Sequence, residues 1–448
     1  MKRLFIIIVC IAVVFSGCRS DVEENESKQV PQQNMTSKVS NEGVNEAASQ
    51  VLPNSETTQQ GSAEAAASSE IKDISAGVNP EKLTSKRKTS YEHFNTICYA
   101  IVYDDFSSPD ALARFEDTWQ EIDNMLTVLE NKASVNIVGS DIYKFNEAKY
   151  GESIAINSVT AEIVSEAIEM YNLTGGAYNP AVSNLVDLWG FSPRFLNNEK
   201  KAMPYDRSRN ESGGFDLPNL QYIEAFKKLS DFSGVKLIKD KKGGYLLKKE
   251  VMDIEINGEL YSLKIDLGGI AKGYGADKAA EILKKNGYEY GLVNLGLSSM
   301  KLLKRNVSDK GAPSMNMWSI YISNPDNPSE NYLTGFGKNV GVSTSGTYEV
   351  KYINNGREYS HIIDPTTGEP TRSDIVSVSI WGEEASEADA LSTALCVMGK
   401  KKAVEFMNAH LQDYKVALLI RNGNNIEVAT NMKDGEYLTE MKTPKSPN

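Results

Sequence analysis

The chain has 448 residues, of which 40% are hydrophobic, 24% charged and 8% aromatic. This ordinary globular composition argues against a fibrous repeat, a wholly disordered chain or a polytopic membrane protein. The formal net charge is −12, which argues against nucleic acid as the main partner because a protein that neutralises phosphates needs a basic surface.

The N-terminus predicts an exported protein with a lipid anchor. Lys2 and Arg3 precede an apolar run over residues 4–15, which is too short to span a bilayer of about 30 Å but suits a signal-peptide core. Residues 1–17 are therefore predicted to be a lipoprotein signal peptide, with cleavage before Cys18 and a lipid such as palmitate on that residue. An ordinary cleaved signal and a membrane stub are the alternatives. The prediction places the protein on the extracytoplasmic face of the cell membrane.

Residues 18–88 are predicted to form a disordered polar tether. Ser, Glu, Gln, Asn, Ala and Lys dominate the segment, which has no aromatic side chains and no persistent apolar period. Such a segment cannot bury enough surface to offset the entropy lost on ordering. As a flexible coil it would reach on the order of 45 Å. A wall-spanning segment and a binding tail are further interpretations.

The folded body is predicted over residues 89–440. A strand over residues 97–103 is followed by a helix that begins at Ser108-Pro109, where serine suits the N-cap and proline the first turn. Apolar residues then recur at helical spacing and predict one buried stripe, formed by Leu112, Phe115, Trp119, Ile122, Leu126 and Leu129.

The remaining body alternates helices and hairpins without a regular βα period, which favours an α+β fold over a doubly wound sheet. Asn257-Gly258 between two apolar segments is a strong hairpin signal. Helices are predicted over 160–173, after Asp266-Leu-Gly-Gly up to Gly287, over 386–398 and over 400–411, and strands over 290–295 and 375–381. The polar stretch 193–219 is predicted to be a surface excursion.

The first of three clusters that carry chemistry lies in residues 174–191, with the sequence Thr-Gly-Gly-Ala-Tyr-Asn-Pro-Ala followed later by Leu-Trp-Gly-Phe. The paired glycines Gly175 and Gly176 would let the backbone approach a ligand closely, and carbonyls freed there would be available to a hard cation. A helix C-cap followed by a turn is the structural alternative.

The second cluster is Asp-Leu-Gly-Gly-Ile-Ala-Lys-Gly-Tyr at residues 266–274. A strand, a glycine turn and a helix start would form a nest of amides that suits a phosphate, with Lys272 as a point charge beside it. The spacing matches neither the P-loop nor the dinucleotide-binding fingerprint. An ordinary turn between a strand and a helix is the alternative.

The third cluster combines Ser-Thr-Ser-Gly at 343–346, Ser-His-Ile-Ile-Asp-Pro-Thr-Thr-Gly at 360–368 and Ala-Asp-Ala-Leu-Ser-Thr at 388–393. Asp389 and Thr393 are four residues apart on a predicted helix, so both oxygens project from one face. A carboxylate with a hydroxyl suits Mg²⁺ or Ca²⁺ and not zinc. Their alternative is an ordinary first helical turn. His361 is interpreted either as a general base or as a structural histidine.

Taken in this order, the clusters resemble the motifs of the ApbE family of FAD:protein FMN transferases, and the resemblance extends from about residue 93 to residue 433. It implies a single α+β body of two lobes with FAD between them. It further implies an enzyme that cleaves the diphosphate of FAD, transfers FMN to a threonine or serine hydroxyl of a target protein and releases AMP. Some members of the family instead hydrolyse FAD to FMN and AMP.

The resemblance also implies site residues. Mg²⁺ would be held by the side chains of Asp389 and Thr393 and by a backbone carbonyl near Ala181. Lys272 and the Gly268-Gly269 turn would add to the neutralisation of the two phosphates.

The same resemblance makes His361 the candidate that takes the proton from the incoming hydroxyl. The other residues that it assigns to FAD binding are Phe94, Gly176, Tyr178, Asn179, Ser345, Gly346, Ile362 and Ile363. Tyr178 and the two isoleucines are expected beside the flavin or the adenine.

Three departures from the family pattern are visible. Phe94-Asn95-Thr96 stands where Met-Gly-Thr is frequent, and Asn179 stands where Asp is common. Asn-Leu-Gly-Leu-Ser-Ser at 294–299 replaces a typical Asn-x-Gly-Gly-Asp/Asn, which would alter one wall of the FAD site. Because Asp389, Thr393 and His361 are retained, we predict an active enzyme with changed FAD contacts.

The predicted function is Mg²⁺-dependent covalent flavinylation of acceptor flavoproteins, such as subunits of Rnf- or Nqr-type complexes or extracytoplasmic FMN-carrying proteins. A FAD pyrophosphatase and a non-catalytic flavin-binding lipoprotein are the alternatives. Cys98 and Cys396 are interpreted as two buried free thiols.

Overall fold

The computed structural model describes residues 83–192, 216–304 and 317–432, together with the backbone of residues 438–439. The predicted signal peptide, Cys18 and the tether up to residue 82 lie outside the described residues, as does most of the predicted surface excursion. All described residues belong to one unit of the chain.

The described residues contain seven α-helices. In chain order they are α1 (Pro109–Ala133), α2 (Asp141–Glu147), α3 (Ser158–Leu173), α4 (Ser183–Trp189), α5 (Leu220–Leu229), α6 (Ala271–Lys285) and α7 (Ala385–His410). Two short 3₁₀ helices accompany them, at Pro180–Val182 and Phe232–Gly234.

Twenty strands alternate with these helices in the described part of the chain. The first ten are β1 (Thr84–Ser90), β2 (Cys98–Asp104), β3 (Ser153–Ile156), β4 (Val235–Lys239), β5 (Tyr245–Lys249), β6 (Ile254–Ile256), β7 (Glu259–Tyr261), β8 (Gly291–Leu295), β9 (Ser299–Leu302) and β10 (Trp318–Asn324). The others are β11 (Asn327–Gly337), β12 (Val340–Gly346), β13 (Lys351–Asn354), β14 (Arg357–Ser360), β15 (Ile363–Asp364), β16 (Glu369–Pro370), β17 (Ile375–Gly382), β18 (Lys415–Asn422), β19 (Asn425–Thr430) and β20 (Leu438–Thr439).

An eight-stranded sheet is the frame of the fold. Its spatial order is β1-β2-β8-β9-β12-β17-β18-β19, and every neighbouring pair is antiparallel. Smaller sheets pair β10, β11 and β20, and β3, β5 and β4, while three hairpins are formed by β6-β7, β13-β14 and β15-β16. Antiparallel pairing without crossover helices is consistent with the predicted α+β fold.

The main sheet is buried on both faces, as the alternating side chains of β2 show. Cys98, Ala100 and Val102 pack in an apolar cluster with residues of α1 and α6. Tyr99 and Tyr103 alternate with them and join a different cluster with residues of β10 and β11. Helices therefore cover one face of the sheet and a small sheet covers the other, because successive strand side chains point to opposite sides.

Strand β1 shows that the predicted tether boundary was wrong. Thr84–Ser90 pairs with β2 along its whole length, so ordered structure begins before residue 88. The Arg87 guanidinium lies 3.8 Å from the centre of the Tyr99 ring, and Lys88 pairs with Glu116 at 2.5 Å. An edge strand with mostly exposed polar side chains has no apolar period, so its pairing cannot be recognised from hydrophobicity.

Helix α1 begins at the predicted Pro109, but its buried stripe is narrower than expected. Phe115, Ile122 and Leu126 are buried, whereas Leu112 is 39% exposed and Trp119 is half-buried. The first turn therefore extends beyond the cluster that the rest of the helix contacts.

Helix α7 confirms the two helices predicted on either side of residue 399. Gly399 has a φ of +74° and interrupts the helical backbone there. The N–H of Lys400 donates to Asp374 Oδ1 at 2.7 Å, which satisfies a backbone donor at the kink. None of the helices in the described ranges is both long and apolar enough to cross a bilayer.

Candidate functional site

The centre of the candidate site is Asp389, near the N-terminus of α7. Its side chain is buried, Oδ1 accepts a hydrogen bond from the hydroxyl of Ser343 at 3.0 Å, and Oδ2 accepts the N–H of Gly273 at 3.2 Å. Lys272 Nζ is 3.7 Å from Oδ2. Three groups from β12 and α6 thus fix this carboxylate, which could not remain charged in the interior without such partners.

Thr393 lies one helical turn after Asp389, as the spacing predicts. Its Oγ1 is 3.3 Å from the carbonyl oxygen of Asp389 and 3.2 Å from Ser345 Oγ. Ser345 is also 2.7 Å from the hydroxyl of Ser392. Ser345 is therefore at the site, but its hydroxyl orients Thr393 and Ser392 within the protein.

A buried charge cluster defines where α7 begins. Asp277, on α6, accepts the backbone N–H groups of Ala385 and Ser386 at 3.0 and 2.9 Å. Lys301 pairs with Asp277 at 2.9 Å and with Glu384 at 2.5 Å. A carboxylate from another helix thus satisfies the free amides at the start of α7 and holds the turn that carries Asp389.

Gly273 permits α6 to approach α7 closely. A Cβ at this position would overlap the carbonyl of Ala385, and a Cβ at Gly341 would overlap the backbone of the same residue from β12. The contact that delivers the Gly273 amide to Asp389 therefore requires glycine.

Gly269 lies where the three predicted clusters meet. A Cβ at Gly269 would be 3.3 Å from the Tyr178 ring and 3.8 Å from Thr393 Oγ1. The N–H of Asp266 donates to the carbonyl of Pro180 at 2.8 Å. Segments far apart in the sequence are therefore neighbours in the fold, as the combined motifs predict.

The donor set near Asp389 suits a hard divalent cation. No group of three His, Cys, Asp or Glu residues within the described ranges is arranged to hold a metal ion. The implied set is different, because it combines one carboxylate with the hydroxyl of Thr393 and a carbonyl near the buried Ala181, oxygen donors that Mg²⁺ accepts. The Tyr178 hydroxyl, buried and without a hydrogen-bond partner among the described residues, faces Asp389 and Asp266. This unsatisfied group is consistent with a further ligand or water beside these carboxylates.

Burial, together with the nearby Asp389 and Asp266 carboxylates, raises the pKa of Tyr178 well above its ordinary value. The phenol is therefore neutral and is available as a hydrogen-bond donor to a ligand or water. It is not a charged metal ligand at neutral pH.

The predicted amide nest for a phosphate is wrong in the turn before α6. Gly268 donates its N–H to Oδ1 of Asp266 at 2.8 Å, and Ile270 and Ala271 both donate to the carbonyl of Leu267. The Asp266 side chain thus occupies the Gly268 amide, and the Leu267 carbonyl occupies the two amides at the start of the helix. The structural alternative, a strand-to-helix turn, describes Gly268 correctly.

Lys272 keeps its predicted place beside the site. Its Nζ is 3.2 Å from the carbonyl of Gly268, and its side chain is 25% exposed, so that the ammonium group remains accessible to a charged ligand. A Cβ at Gly296 would be 3.2 Å from Lys272 Cδ. The 294–299 loop therefore forms a wall beside Lys272, and Leu297 within it has a φ of +59° where the family pattern has a second glycine.

His361 is held by a single carbonyl. Its backbone N–H donates to the oxygen of Val350 at 2.9 Å, and its ring Nδ1 is 3.2 Å from the same oxygen. A carbonyl only accepts hydrogen bonds, so Nδ1 carries the proton and Nε2 retains a lone pair in the neutral ring. Burial lowers the pKa of His361, with a further contribution from the charge of Lys272, which keeps the ring neutral and basic at pH 7.

His361 and Glu349 lie near Lys272, whose charge acts on both side chains. His361 is half-buried, and Glu349 reaches solvent although protein atoms surround its carboxylate. Crowding and the nearby Asp389 carboxylate raise the pKa of Glu349 to about 7, against the opposing effect of Lys272. Glu349 was not among the predicted site residues, because nothing in its local sequence marks it.

The side chains of Ile362 and Ile363, which are predicted to lie beside the flavin or the adenine, are buried within the protein. Each is only 5% exposed, and they belong to two different apolar clusters. Their side chains diverge because neighbouring residues in extended backbone point to opposite sides. They anchor His361 between the two clusters.

A stack of four aromatic rings supports the β13-β14 hairpin before His361. Ring centres are 5.6 Å apart for Trp189 and Tyr359, 5.4 Å for Tyr359 and Tyr352, and 5.3 Å for Tyr352 and Phe191. The indole N–H of Trp189 donates to the carbonyl of Gly368 at 2.8 Å. The Leu-Trp-Gly-Phe motif thus supports the loop that carries the candidate base.

Three residues assigned to FAD binding have structural roles instead. Gly176, with a φ of +84°, ends α3 by donating its N–H to the carbonyl of Tyr171 at 2.9 Å, which is the helix cap considered as its alternative. Both amide groups of Asn179 are engaged, since its oxygen accepts from Ala181 and its nitrogen donates to Ser230. Gly346 is covered by the ring of Tyr348.

Phe94 is half-buried next to the site and packs against two apolar clusters, one of which contains Tyr178.

Cys98 and Cys396 are buried and free, as interpreted from the sequence. Burial raises the pKa of the Cys98 thiol to about 12 and that of Cys396 above its ordinary range. Both thiols are therefore inert near neutral pH.

The sequence of the chain matches known proteins over this body. Residues 94–418 match the ApbE family, which is well over half of the chain, and the chain belongs to that family. The FAD:protein FMN transferase of Vibrio cholerae is 31% identical over 292 residues, which cover 65% of this chain and 76% of that protein. The FAD:protein FMN transferase of Haemophilus influenzae is 29% identical over 348 residues, which cover 77% of this chain and 89% of that protein.

Solved structures agree with the sequence relationship. The flavin transferase ApbE from Vibrio cholerae is similar with a TM-score of 0.61 and 25% identity, over 78% of this chain and 97% of that chain. The ApbE protein from Thermotoga maritima gives a TM-score of 0.59 at 25% identity, over 77% of this chain and 96% of that chain. The predicted family and the α+β fold are confirmed by these similarities.

Proposed function

We propose that this chain transfers FMN from FAD to a hydroxyl group of a target protein and releases AMP. The observation that carries the proposal is the convergence of Asp389, Thr393 and Lys272 beside a histidine whose Nε2 is free to accept a proton. Membership of the ApbE family and the names of its relatives as FAD:protein FMN transferases support the same activity.

The proposed transfer is a displacement at phosphorus. The acceptor oxygen forms a bond to the phosphorus of the FMN half, and the bond between that phosphorus and the bridging oxygen breaks. AMP leaves with the bridging oxygen, and the proton of the acceptor hydroxyl passes to Nε2 of His361. The neutral Nδ1–H tautomer imposed by Val350 leaves this nitrogen available from the start.

Asp389, Thr393 and a carbonyl near Ala181 would hold Mg²⁺. Bound there, the ion supplies charge neutralisation for the diphosphate of FAD. Lys272 adds a mobile positive charge on the same side, since its ammonium group lies 3.7 Å from Asp389 and remains partly exposed. We place FAD in a cleft between the two lobes that the family resemblance implies, beside Lys272, His361 and Phe94.

Incubating the folded body with FAD, Mg²⁺ and an acceptor protein tests this activity. Transfer predicts flavin fluorescence that stays with the acceptor on a denaturing gel, together with one AMP released per flavin attached. AMP release without labelled acceptor would favour a FAD pyrophosphatase. FAD that remains intact would favour a flavin-binding lipoprotein and refute both enzymatic activities.

We further propose that the enzyme acts at the outer face of the cell membrane on flavin-carrying subunits of Rnf- or Nqr-type complexes or on other extracytoplasmic flavoproteins. The signal sequence before Cys18 and the polar segment after it support a lipid anchor with a long reach. Replacing Cys18 with serine should release the protein from the membrane fraction. If the variant remains in that fraction, the anchor is not at this residue.

A further inference from the structure

The connection between β1 and β2 contains a strained turn. The N–H of Thr96 donates to the carbonyl of His93 at 3.1 Å, and the two residues between them, Phe94 and Asn95, have φ values of +53° and +52°. Positive φ at both central positions is the pattern of a type I′ turn, which favours Asn-Gly. A phenylalanine rarely adopts this conformation, so surrounding contacts must hold it.

Glu130, on α1, supplies these contacts. Its Oε1 accepts the N–H of Phe94 at 2.8 Å, and its Oε2 is 3.4 Å from Nδ1 of His93. The other ring nitrogen of His93 is 2.9 Å from Asp123 Oδ1, and this histidine is buried. One carboxylate therefore contacts both the first residue and the first central residue of the turn, and the hydrogen bond that it accepts from the Phe94 amide is charge-assisted.

The turn continues directly into the wall beside Lys272. A Cβ at Gly296 would lie 3.1 Å from Thr96 Cγ2 and 3.2 Å from Lys272 Cδ. The N–H of Gly296 donates to the carbonyl of Ile97 at 2.8 Å. The conformation of the turn therefore sets the position of Phe94 and Thr96 relative to Lys272.

We propose that Glu130 is a positioning residue for FAD, which holds the His93–Thr96 turn so that Phe94 and Thr96 shape the wall of the site. Glu130 acts through the turn and not on the reacting atoms. The proposal rests on the proposed function, because it takes FAD as the ligand of the cleft.

The test compares Glu130→Ala with two companion variants, using the KM for FAD and kcat of AMP release at saturating Mg²⁺. Losing a hydrogen bond to a charged group should raise the KM for FAD about tenfold in Glu130→Ala, with kcat changed by less than about twofold. Glu130→Gln keeps an acceptor for the Phe94 amide and should recover part of the affinity. Adding Asn95→Gly to Glu130→Ala should also recover affinity, because glycine adopts positive φ without strain.

Asp123→Asn is the matched control, because Asp123 contacts the same histidine but not the turn amide. Its KM for FAD should stay near that of the wild type. An unchanged KM in Glu130→Ala would overturn the proposal. So would a parallel loss of kcat and affinity that Asn95→Gly does not restore, or an equal loss in Asp123→Asn.

Two further measurements keep this test independent of the proposed function. If the wild type releases no AMP, that function fails, and equilibrium dialysis of FAD against the same variants still measures the effect of Glu130 on binding. Thermal unfolding identifies a misfolded Glu130→Ala protein. In that case the FAD affinity of Glu130→Gln is measured with and without Asn95→Gly. A restored FAD affinity supports the proposal, and an affinity that is not restored overturns it.

Discussion

Replacing Asp389 with asparagine removes a negative charge from the site while preserving its shape. The asparagine oxygen can accept the N–H of Gly273, and its amide can donate to Ser343 Oγ, which are the two hydrogen bonds that the buried carboxylate makes now. The lost pairing with Lys272 leaves an ammonium group that already reaches solvent. The free energy of unfolding should therefore change by only about 1 kcal/mol.

Activity should respond very differently. The variant lacks the negative charge that is proposed to hold the cation. Losing such an electrostatic contribution removes about 3–4 kcal/mol of transition-state stabilisation, which lowers kcat at least about a hundredfold. The assay is AMP release from FAD over a titration of Mg²⁺, with thermal unfolding of the same samples. We expect a nearly unchanged melting temperature and a Mg²⁺ dependence shifted to much higher concentration.

Asp277→Asn is the matched control for this variant. Asp277 is also a buried carboxylate that contacts α7, but it binds the amides of Ala385 and Ser386 and the ammonium group of Lys301. Weakening this buried pair should lower the free energy of unfolding by about 2–3 kcal/mol and shift the Mg²⁺ dependence far less than Asp389→Asn does, because Asp277 only positions the turn that carries Asp389. Full activity of Asp389→Asn with a normal Mg²⁺ titration would refute the assignment of Asp389 as a metal ligand.

Three further outcomes follow from individual contacts. Because burial lowers the pKa of His361 below its ordinary value of about 6.5, the rate of AMP release should decrease toward low pH with a midpoint below about pH 6.5. A midpoint above about pH 7 would contradict the role of His361 as the base. Burial raises the pKa of Glu166 to about 7, so the folded state binds its proton more tightly than the unfolded state, and wild-type stability should decline as the pH rises from about 5 through 7. Glu166→Gln should reduce this decline and stabilise the protein by about 1–2 kcal/mol at about pH 8 in urea unfolding, since partial exposure screens the charge; an unchanged pH profile would show that other groups cause the decline. Gly273→Ala should lower the free energy of unfolding by about 2–4 kcal/mol in spite of the helix propensity of alanine, because the new Cβ overlaps the carbonyl of Ala385; a wild-type urea midpoint would contradict this packing.

Local sequence signals are sufficient for much of the helical structure and for the placement of the two proposed metal ligands on one helix. Pro109 marks the start of α1, and the four-residue spacing of Asp389 and Thr393 places both on one face of α7. These features depend on interactions within one or two turns, which the sequence displays directly.

Features that depend on distant segments are not visible in this way. The amides at the start of α7 are capped by Asp277, 108 residues earlier in the chain, and the helix has no side-chain cap of its own. The tautomer of His361 depends on the carbonyl of Val350 across a hairpin. Backbone partners leave no trace in residue type, so such contacts need the fold.

A nearby polar side chain can also occupy the backbone groups that a motif would otherwise offer to a ligand. The glycine turn at Gly268 has the composition of an anion-binding nest, yet Asp266 takes the amide that a phosphate would need. The same holds for Asn179, whose side chain is occupied by the backbone of Ala181 and Ser230. Composition indicates which groups are present, and local competition decides which remain available.

The stacked rings beneath the β13-β14 hairpin give the protein an internal optical reporter. Trp189 is buried and stacked on Tyr359, whereas Trp318 and Trp381 lie in the apolar cluster on the other face of the main sheet. The emission of Trp189 therefore depends on the hairpin next to His361, the candidate base. Trp119, like Trp318 and Trp381, packs in a cluster away from that hairpin. A variant that retains Trp189 as its sole indole would allow ligand entry to be followed in real time without a dye.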